Sequence, residues 1–438
     1  MTEKESRLTD QAGPTPPSSG QPLPDGAAGA QPSSLELDRW RVMTEVEADL
    51  ARSLTLADEL SGATRAVRDF ETRWRRWTGK RHALTTMNGS SALYAAYFGL
   101  GIGPGDEVIC PTYTWINSIG PALLLGARPV FCECDPETLL IDPEDARRRV
   151  TPRTRAIVAV HLWGNVCDME ALLALCRESG IALIEDCSHA PGAVYKGKMA
   201  GTWGDAGCWS LQGSKPVSAG EGGVLATDDP QVFDRACLVG QLSRMGALVT
   251  REYAVFQPFG FGMKLRAHPL GIAIAGVQLD RLPELNRRRR EWVETVEAGL
   301  AGVPGFRPVK TYPDGERAGF YGFPILHLPE AHRGEDTAGV IARLNSAGVP
   351  ATGSGYPLLH RLPLFATGCD LFTRHRGPLG GDYPGYREGD LPRSEEMHRR
   401  LIFLPVLADP EPGAADLLLA RLRAVAVALE AGLPAEKP

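Results

Sequence analysis

The sequence predicts an α/β protein: a large, mostly parallel seven-stranded sheet domain covered by helices on both faces, then a smaller C-terminal α/β domain. Three observations lead there. Short apolar runs alternate with helix-length segments from residue 82 to residue 227, the pattern of repeated β-α units. One run, Arg155-Ala-Ile-Val-Ala-Val-His161, is almost continuously apolar, as a central parallel strand should be. At 438 residues the chain can bury a large core and is expected to divide into two domains.

Residues 1–34 are rich in Pro, Gly, Ser, Ala and Gln and read as a disordered tail, because they carry too little apolar surface to order themselves. Amphipathic helices follow over 35–78, with Trp40, Phe70, Trp74 and Trp77; the spacing of the last three fits one buried face. Strands are predicted at 82–87, 107–110, 128–134, 155–161, 181–186, 206–211 and 223–227. Helices are predicted at 91–100, 115–125 and 169–179. A long helix over 271–300 leads into the smaller domain, which mixes a strand at 321–327 with helices at 337–347 and 414–431. The large domain is placed at 35–285 and the small one at 286–438. Residues 363–392 are rich in Gly, Arg, Asp and Tyr without periodicity, a long loop of the kind that is functional or disordered.

Composition excludes several functions. A net charge of -6 argues against nucleic acid, whose binders are usually basic. The basic run Arg287 to Arg290 lies in a charged, helix-like stretch and reads as a solvated helix face. No apolar run approaches a membrane span, and the N-terminal stretch lacks the apolar core of a signal peptide. Nine cysteines without metal-type clustering read as small buried thiols in a reducing cytosol, so a cytoplasmic location is expected.

The chemistry concentrates at strand ends. Ala182-Leu-Ile-Glu-Asp186-Cys-Ser-His189 delivers a carboxylate at the end of an apolar strand, where ligand crevices of parallel sheets lie. Alternation along the strand sends Glu185 to the other side. Taken alone, Asp186 could equally cap the next turn, and His189 could be a satisfied loop histidine. Ser210-Leu-Gln-Gly-Ser-Lys215 then delivers one lysine among small residues, ahead of Gly220-Glu-Gly-Gly223. An amine that attacks an aldehyde and a carboxylate that keeps a pyridine nitrogen protonated are what pyridoxal phosphate (PLP) requires. Met87-Asn-Gly89-Ser90-Ser-Ala92 joins a strand to a helix, whose first amides suit a phosphate, though a plain helix cap has the same form. Ser210 can add a hydroxyl there. Trp115, just past another strand end, can lie on the face of a ring or simply pack.

Taken together, Glu185-Asp-Cys-Ser-His189, Gly204-Asp-Ala-Gly-Cys-Trp-Ser210 and Ser214-Lys215 with Gly220-Glu-Gly-Gly223 resemble the DegT/StrS-type aminotransferases, over about residues 44–429. The resemblance implies the PLP-dependent type I aminotransferase fold. It also implies a homodimer with sites at the interface. The implied reaction moves an amino group from glutamate or glutamine to a nucleotide-linked keto sugar or a cyclitol ketone, in antibiotic or other secondary metabolism. By position it makes Lys215 the Schiff-base lysine and Asp186 the partner of the ring nitrogen. His189 sits beside the ring, Trp115 stacks on it, and Gly89, Ser90 and Ser210 hold the phosphate. Lys264, in Gly262-Met-Lys264-Leu-Arg-Ala-His268, falls in the segment that reaches the neighbouring subunit's phosphate, where many relatives have Asn. A sugar dehydratase or lyase on the same fold and a non-catalytic regulatory relative are the alternatives. The dehydratase relatives carry histidine in place of the Schiff-base lysine.

Overall fold

The chain builds one seven-stranded sheet and hangs its loops from the two rims. The computed structural model describes residues 43–62, 64–368, 374 and 376–433; the tail expected at 1–34, and Trp40, lie outside them. The strand order is His82–Thr86, Gly223–Thr227, Ala206–Ser210, Ala182–Asp186, Thr154–Val160, Glu107–Pro111, Arg128–Cys132. Gly223–Thr227 runs antiparallel to both neighbours, and the other six strands are parallel to one another. The predicted fold class therefore stands. The carboxyl ends Thr86, Pro111, Val160, Asp186 and Ser210 share one rim.

The central strands are fully buried, as their continuous apolar runs require: Ile157, Val158 and Ala159 are inaccessible. The helix Arg65–Thr78 closes the sheet on one side through the predicted aromatic face. Phe70 and Trp74 are buried, and Trp74 meets Trp209 edge-on at 5.3 Å. The helix Pro269–Leu300 has 32 residues, about 48 Å at 1.5 Å per residue. Its first half adds Ile272, Ala275, Leu279 and Leu282 to the core around the large sheet. Its second half adds Trp292, Val293, Val296 and Leu300 to a second core. That core packs against an antiparallel sheet of Phe306–Pro308, Phe323–His327 and Leu401–Leu404 and the helix Ala414–Ala431.

Three expectations need correction. The helix expected at 115–125 is a 3-10 turn, Ile116–Ser118, followed by a short helix, Gly120–Leu124; Pro121, which has no N–H to donate back, stands in the first turn of that helix, the position proline favours. Within the basic run, Arg287 and Arg288 are exposed and paired with acids. Arg289 is buried on the core side, one step round the helix. The described part of 363–392 is held against the sheet rather than loose. The Tyr386 hydroxyl accepts from Phe131 N–H at 2.9 Å, and Arg128 donates to Pro378 O and Asp382. The segment covers the edge strand Arg128–Cys132, which would otherwise present unpaired backbone. All eight cysteines among the described residues are reduced and buried, as expected.

Candidate active site

Every residue that the sequence singles out leaves the same rim of the sheet, except Lys264, which lies on an adjoining segment. Asp186 ends its strand and is buried. Its Oδ2 accepts from Ser118 Oγ at 2.8 Å, and its Oδ1 accepts from Ser188 N at 3.1 Å and Ser188 Oγ at 2.6 Å. Three donors therefore converge on its two oxygens. Glu185 points the other way, as alternation demands. It takes the amides of Gly201, Trp203 and Gly204, each at 2.7 Å, and meets His161 Nε2 at 3.1 Å. Its acceptor positions are spent on structure.

The turn after Ala206–Ser210 carries the lysine. Lys215 N–H closes it by donating to Gln212 O at 2.8 Å. Lys215 is half-buried, with Nζ 3.6 Å from the centroid of the Tyr321 ring. Burial pushes its ammonium down to about 7, against the opposing pull of the Asp186 charge. The two residues thus feel each other across one site.

His189, within reach of the Lys215 charge, is 5% exposed. Trp163 N–H donates to its Nδ1 at 3.3 Å, so Nε2 carries the proton and donates to the Tyr356 hydroxyl at 3.2 Å. Burial, then the Lys215 charge, hold its pKa well below the usual histidine value; the imidazole is neutral at pH 7. Its ring stacks on Tyr321 at 4.1 Å and on Trp163 at 5.1 Å.

The strand His82–Thr86 ends in Asn88, whose side chain caps the helix Gly89–Gly99 by accepting from Ser91 N–H at 2.8 Å. The amides of Gly89 and Ser90 keep no intrahelical acceptor. A Cβ on Gly89 would lie 2.7 Å from Ser210 Cβ, so only glycine lets the helix start meet Ser210. Asn117 donates to Ser90 Oγ. Trp115 is 49% exposed, its ring 5.1 Å from Tyr356. Lys264 is exposed; the next residue, Leu265, bonds Met87 N–H at 2.8 Å, which ties that segment to the same strand end.

Tyr356 joins this cluster, whereas Arg244 and Tyr383 lie elsewhere. Arg244 pairs with Glu71 at 2.6 Å, and Tyr383 donates to Phe365 O near the edge strand. Tyr321 and Ser118 were missed. A tyrosine at the head of a strand and a serine in an apparent helix carry no local signal. Trp163, inside His161-Leu-Trp-Gly164, carries one only in its left-handed backbone, φ 59°, which no sequence prints.

Residues 43–423 match the model of the DegT/DnrJ/EryC1/StrS aminotransferase family. The chain belongs to that family. Among aminotransferases and related proteins it is similar to a putative L-glutamine:3-amino-2,3-dideoxy-scyllo-inosose aminotransferase of Streptoalloteichus tenebrarius, 33% identical over 377 residues, 86% of this chain and 87% of that one. It is also similar to the GDP-perosamine synthase of Vibrio cholerae, 36% identical over 236 residues, 54% of this chain and 62% of that one. Among solved structures, the aminotransferase TlmJ of Streptoalloteichus hindustanus matches with a TM-score of 0.73 at 27% identity, over 89% of this chain and 98% of that one. This DegT/DnrJ/EryC1/StrS aminotransferase has, among its described residues, no helix long and apolar enough to cross a membrane.

Proposed function

We propose that the protein is a PLP-dependent aminotransferase that moves an amino group from glutamate or glutamine to the carbonyl of a keto sugar or a cyclitol ketone, with no membrane or nucleic-acid partner in that reaction. The observation that carries this reading is the pair at one rim: a lysine whose amine burial brings to about 7, and a carboxylate that takes three hydrogen-bond donors and acts on that lysine. The residues fit the cofactor. The Gly89 and Ser90 amides, with the Ser90 and Ser210 hydroxyls, would hold a phosphate, and the missing Cβ of Gly89 lets the helix start come this close to Ser210. Asp186 would pair with the ring nitrogen, His189 would lie beside the ring and Trp115 against its exposed face.

When bound, PLP supplies an aldehyde for amine exchange and a ring that accepts electrons. The protein's own contribution is proton handling. Lys215 is the base and acid at the substrate carbon, and its depressed pKa lets it both take and return a proton at neutral pH. Asp186 would pair with the ring nitrogen and favour its protonated form. The neutral His189 donates to Tyr356 and adds no competing charge.

A homodimer belongs to this reading. Val255, Phe256, Phe259, Phe261 and Met263 are 41–78% exposed, a run of apolar surface suited to a partner, and Lys264 follows it directly. We read Lys264 as a point charge for the partner's phosphate.

Lys215→Ala tests the core of the proposal. It should remove the visible absorbance of lysine-bound PLP and stop turnover with glutamine or glutamate and a panel of keto sugars and cyclitol ketones. Full activity in that variant would overturn the mechanism. Release of ammonia or water without stoichiometric keto acid would instead indicate a lyase or dehydratase.

A further inference from the structure

We propose that Tyr321 is the seat of the Lys215 amine: its ring face holds the lysine whenever the amine is not engaged, and so returns it to the same side of the site. The inference rests on the assignment of Lys215 above. It makes Tyr321 a positioning residue.

The contact itself is close. Nζ stands 3.6 Å from the ring centroid, where the negative face of the ring attracts a cation, most strongly in a site shielded from water. A second contact fixes the pair, because Tyr321 Oη lies 3.0 Å from the hydroxyl of Ser214, the residue before the lysine. The ring cannot drift. It is stacked on His189 at 4.1 Å and 24°, and Trp163 lies parallel to it at 7°.

The backbone that carries Tyr321 is wedged into the site. Gly319 N–H donates to Asn286 Oδ1 at 2.9 Å, and Asn286 Nδ2 donates to Pro191 O at 3.0 Å. Ala318 N–H donates to Gly164 O at 3.1 Å. Gly319 has φ 79°, and a Cβ there would lie 2.3 Å from His189 O. Phe320 and Trp163, on the two facing segments, both adopt left-handed backbone, with φ 50° and 59°. Bulky residues avoid that conformation unless their surroundings enforce it, and such residues collect at functional sites. A tyrosine needed only for packing would not require this construction beneath a lysine.

The physical role follows from a conflict at Lys215. Burial favours its neutral form, yet each proton it accepts makes it a cation. The Tyr321 face stabilises that cation without adding a formal charge or a competing proton.

The experiment titrates Lys215 in the cofactor-free protein. The rate of its acetylation by acetic anhydride is followed against pH by peptide-resolved mass spectrometry, in the wild type and in Tyr321→Phe, Tyr321→Leu and Tyr321→Trp. The phenylalanine variant should keep the wild-type midpoint. Leucine should lower it by about one pH unit, and tryptophan should raise it above phenylalanine. Turnover of the leucine variant should fall about tenfold with KM for the donor unchanged. Equal midpoints for leucine and phenylalanine would overturn the seat. If the leucine variant does not fold, a tryptophan midpoint no higher than that of phenylalanine overturns it. PLP uptake by the wild type separates the two claims. Failure of uptake sinks the functional assignment, whereas normal uptake with a flat series sinks only the role of Tyr321.

Discussion

Ser118 Oγ donates to Asp186 Oδ2 at 2.8 Å, and both residues are buried: Ser118 is 1% exposed and Asp186 6%. Behind it, Thr114 Oγ1 lies 3.0 Å from Ser118 Oγ and so donates to it, while the Tyr97 hydroxyl holds the Ser118 carbonyl at 2.5 Å. This chain orients the carboxylate from the side opposite Ser188. Ser118→Ala removes one of its three donors. A hydrogen bond to a charged group is worth about 1.5–3 kcal/mol, so turnover should fall roughly 10- to 100-fold. The spectrum of bound PLP should shift, and Ser118→Thr should restore both. An alanine variant with wild-type turnover and spectrum would mean that Ser188 alone positions Asp186.

Lys215 sets a pH dependence for cofactor capture. Only the neutral amine attacks an aldehyde, and burial brings the lysine to about 7. The rate of PLP uptake by the cofactor-free protein should therefore rise as pH rises through about 7 and level off about one unit higher. Rapid-mixing absorbance at a series of pH values measures this. A midpoint near the ordinary lysine value, about 10, would show that the amine is not desolvated.

The fold was legible because β/α alternation is a local signal, and helix boundaries such as Met169–Ser179 and Ala414–Ala431 follow from runs of apolar spacing. Part of the site was legible for a related reason. Asp186, Ser210 and Gly89 each mark the end or the restart of an element, and a parallel sheet gathers such ends on one rim. Tyr321 and Lys215 are 106 positions apart, joined through the Ser214 contact, and no periodicity encodes a pairing of that span. Ser118 was hidden by its own neighbourhood: the stretch has helical apolar spacing, and only Pro121 interrupts it. The loop 363–392 misled in the other direction. It has no periodicity to read, and yet Tyr386 and the Pro378 carbonyl tie it to the edge strand.

That edge gives a test on stability. The Tyr386 hydroxyl is the acceptor for Phe131 N–H. Tyr386→Phe leaves a backbone donor without its partner, at a cost of about 1–3 kcal/mol. The urea midpoint should fall accordingly, with turnover unchanged per folded molecule. A stability equal to wild type would show that water replaces the hydroxyl.

Acid sensitivity should come from the second core. His332 Nε2 meets Pro304 O at 3.1 Å, so its Nδ1 accepts from His327 Nε2–H, also at 3.1 Å, and His327 Nδ1 accepts from the Thr337 hydroxyl. Both rings are neutral and buried. Burial pushes His327 down to about 4, helped by His332 and Arg400 and opposed by Glu330 and Asp336. Between about 6.5 and 4 the unfolded chain binds a proton that the folded chain refuses, so stability falls as pH falls through that window. The loss from His327 is about 1–3 kcal/mol. His327→Asn should flatten the dependence of the urea midpoint on pH from 6.5 to 4; an unchanged slope would place the acid sensitivity elsewhere.

The proposed role of Lys264 at a partner's phosphate predicts complementation between two crippled subunits. Lys215→Ala removes the attacking amine, and Lys264→Ala removes the charge offered to the partner, so each pure dimer carries two identical defects. In a mixed dimer the defects fall together. One site lacks both lysines, and the other combines Lys215 of one subunit with Lys264 of the other. After subunit exchange of equal amounts, half the dimers are mixed and one of their two sites is intact, so roughly one site in four should bind PLP with wild-type affinity. Equilibrium titration followed by the absorbance of lysine-bound cofactor reads this directly. A mixture that behaves as the sum of its two parents would mean that Lys264 serves its own subunit or no phosphate at all, and the exposed apolar run from Val255 to Met263 would then need another explanation.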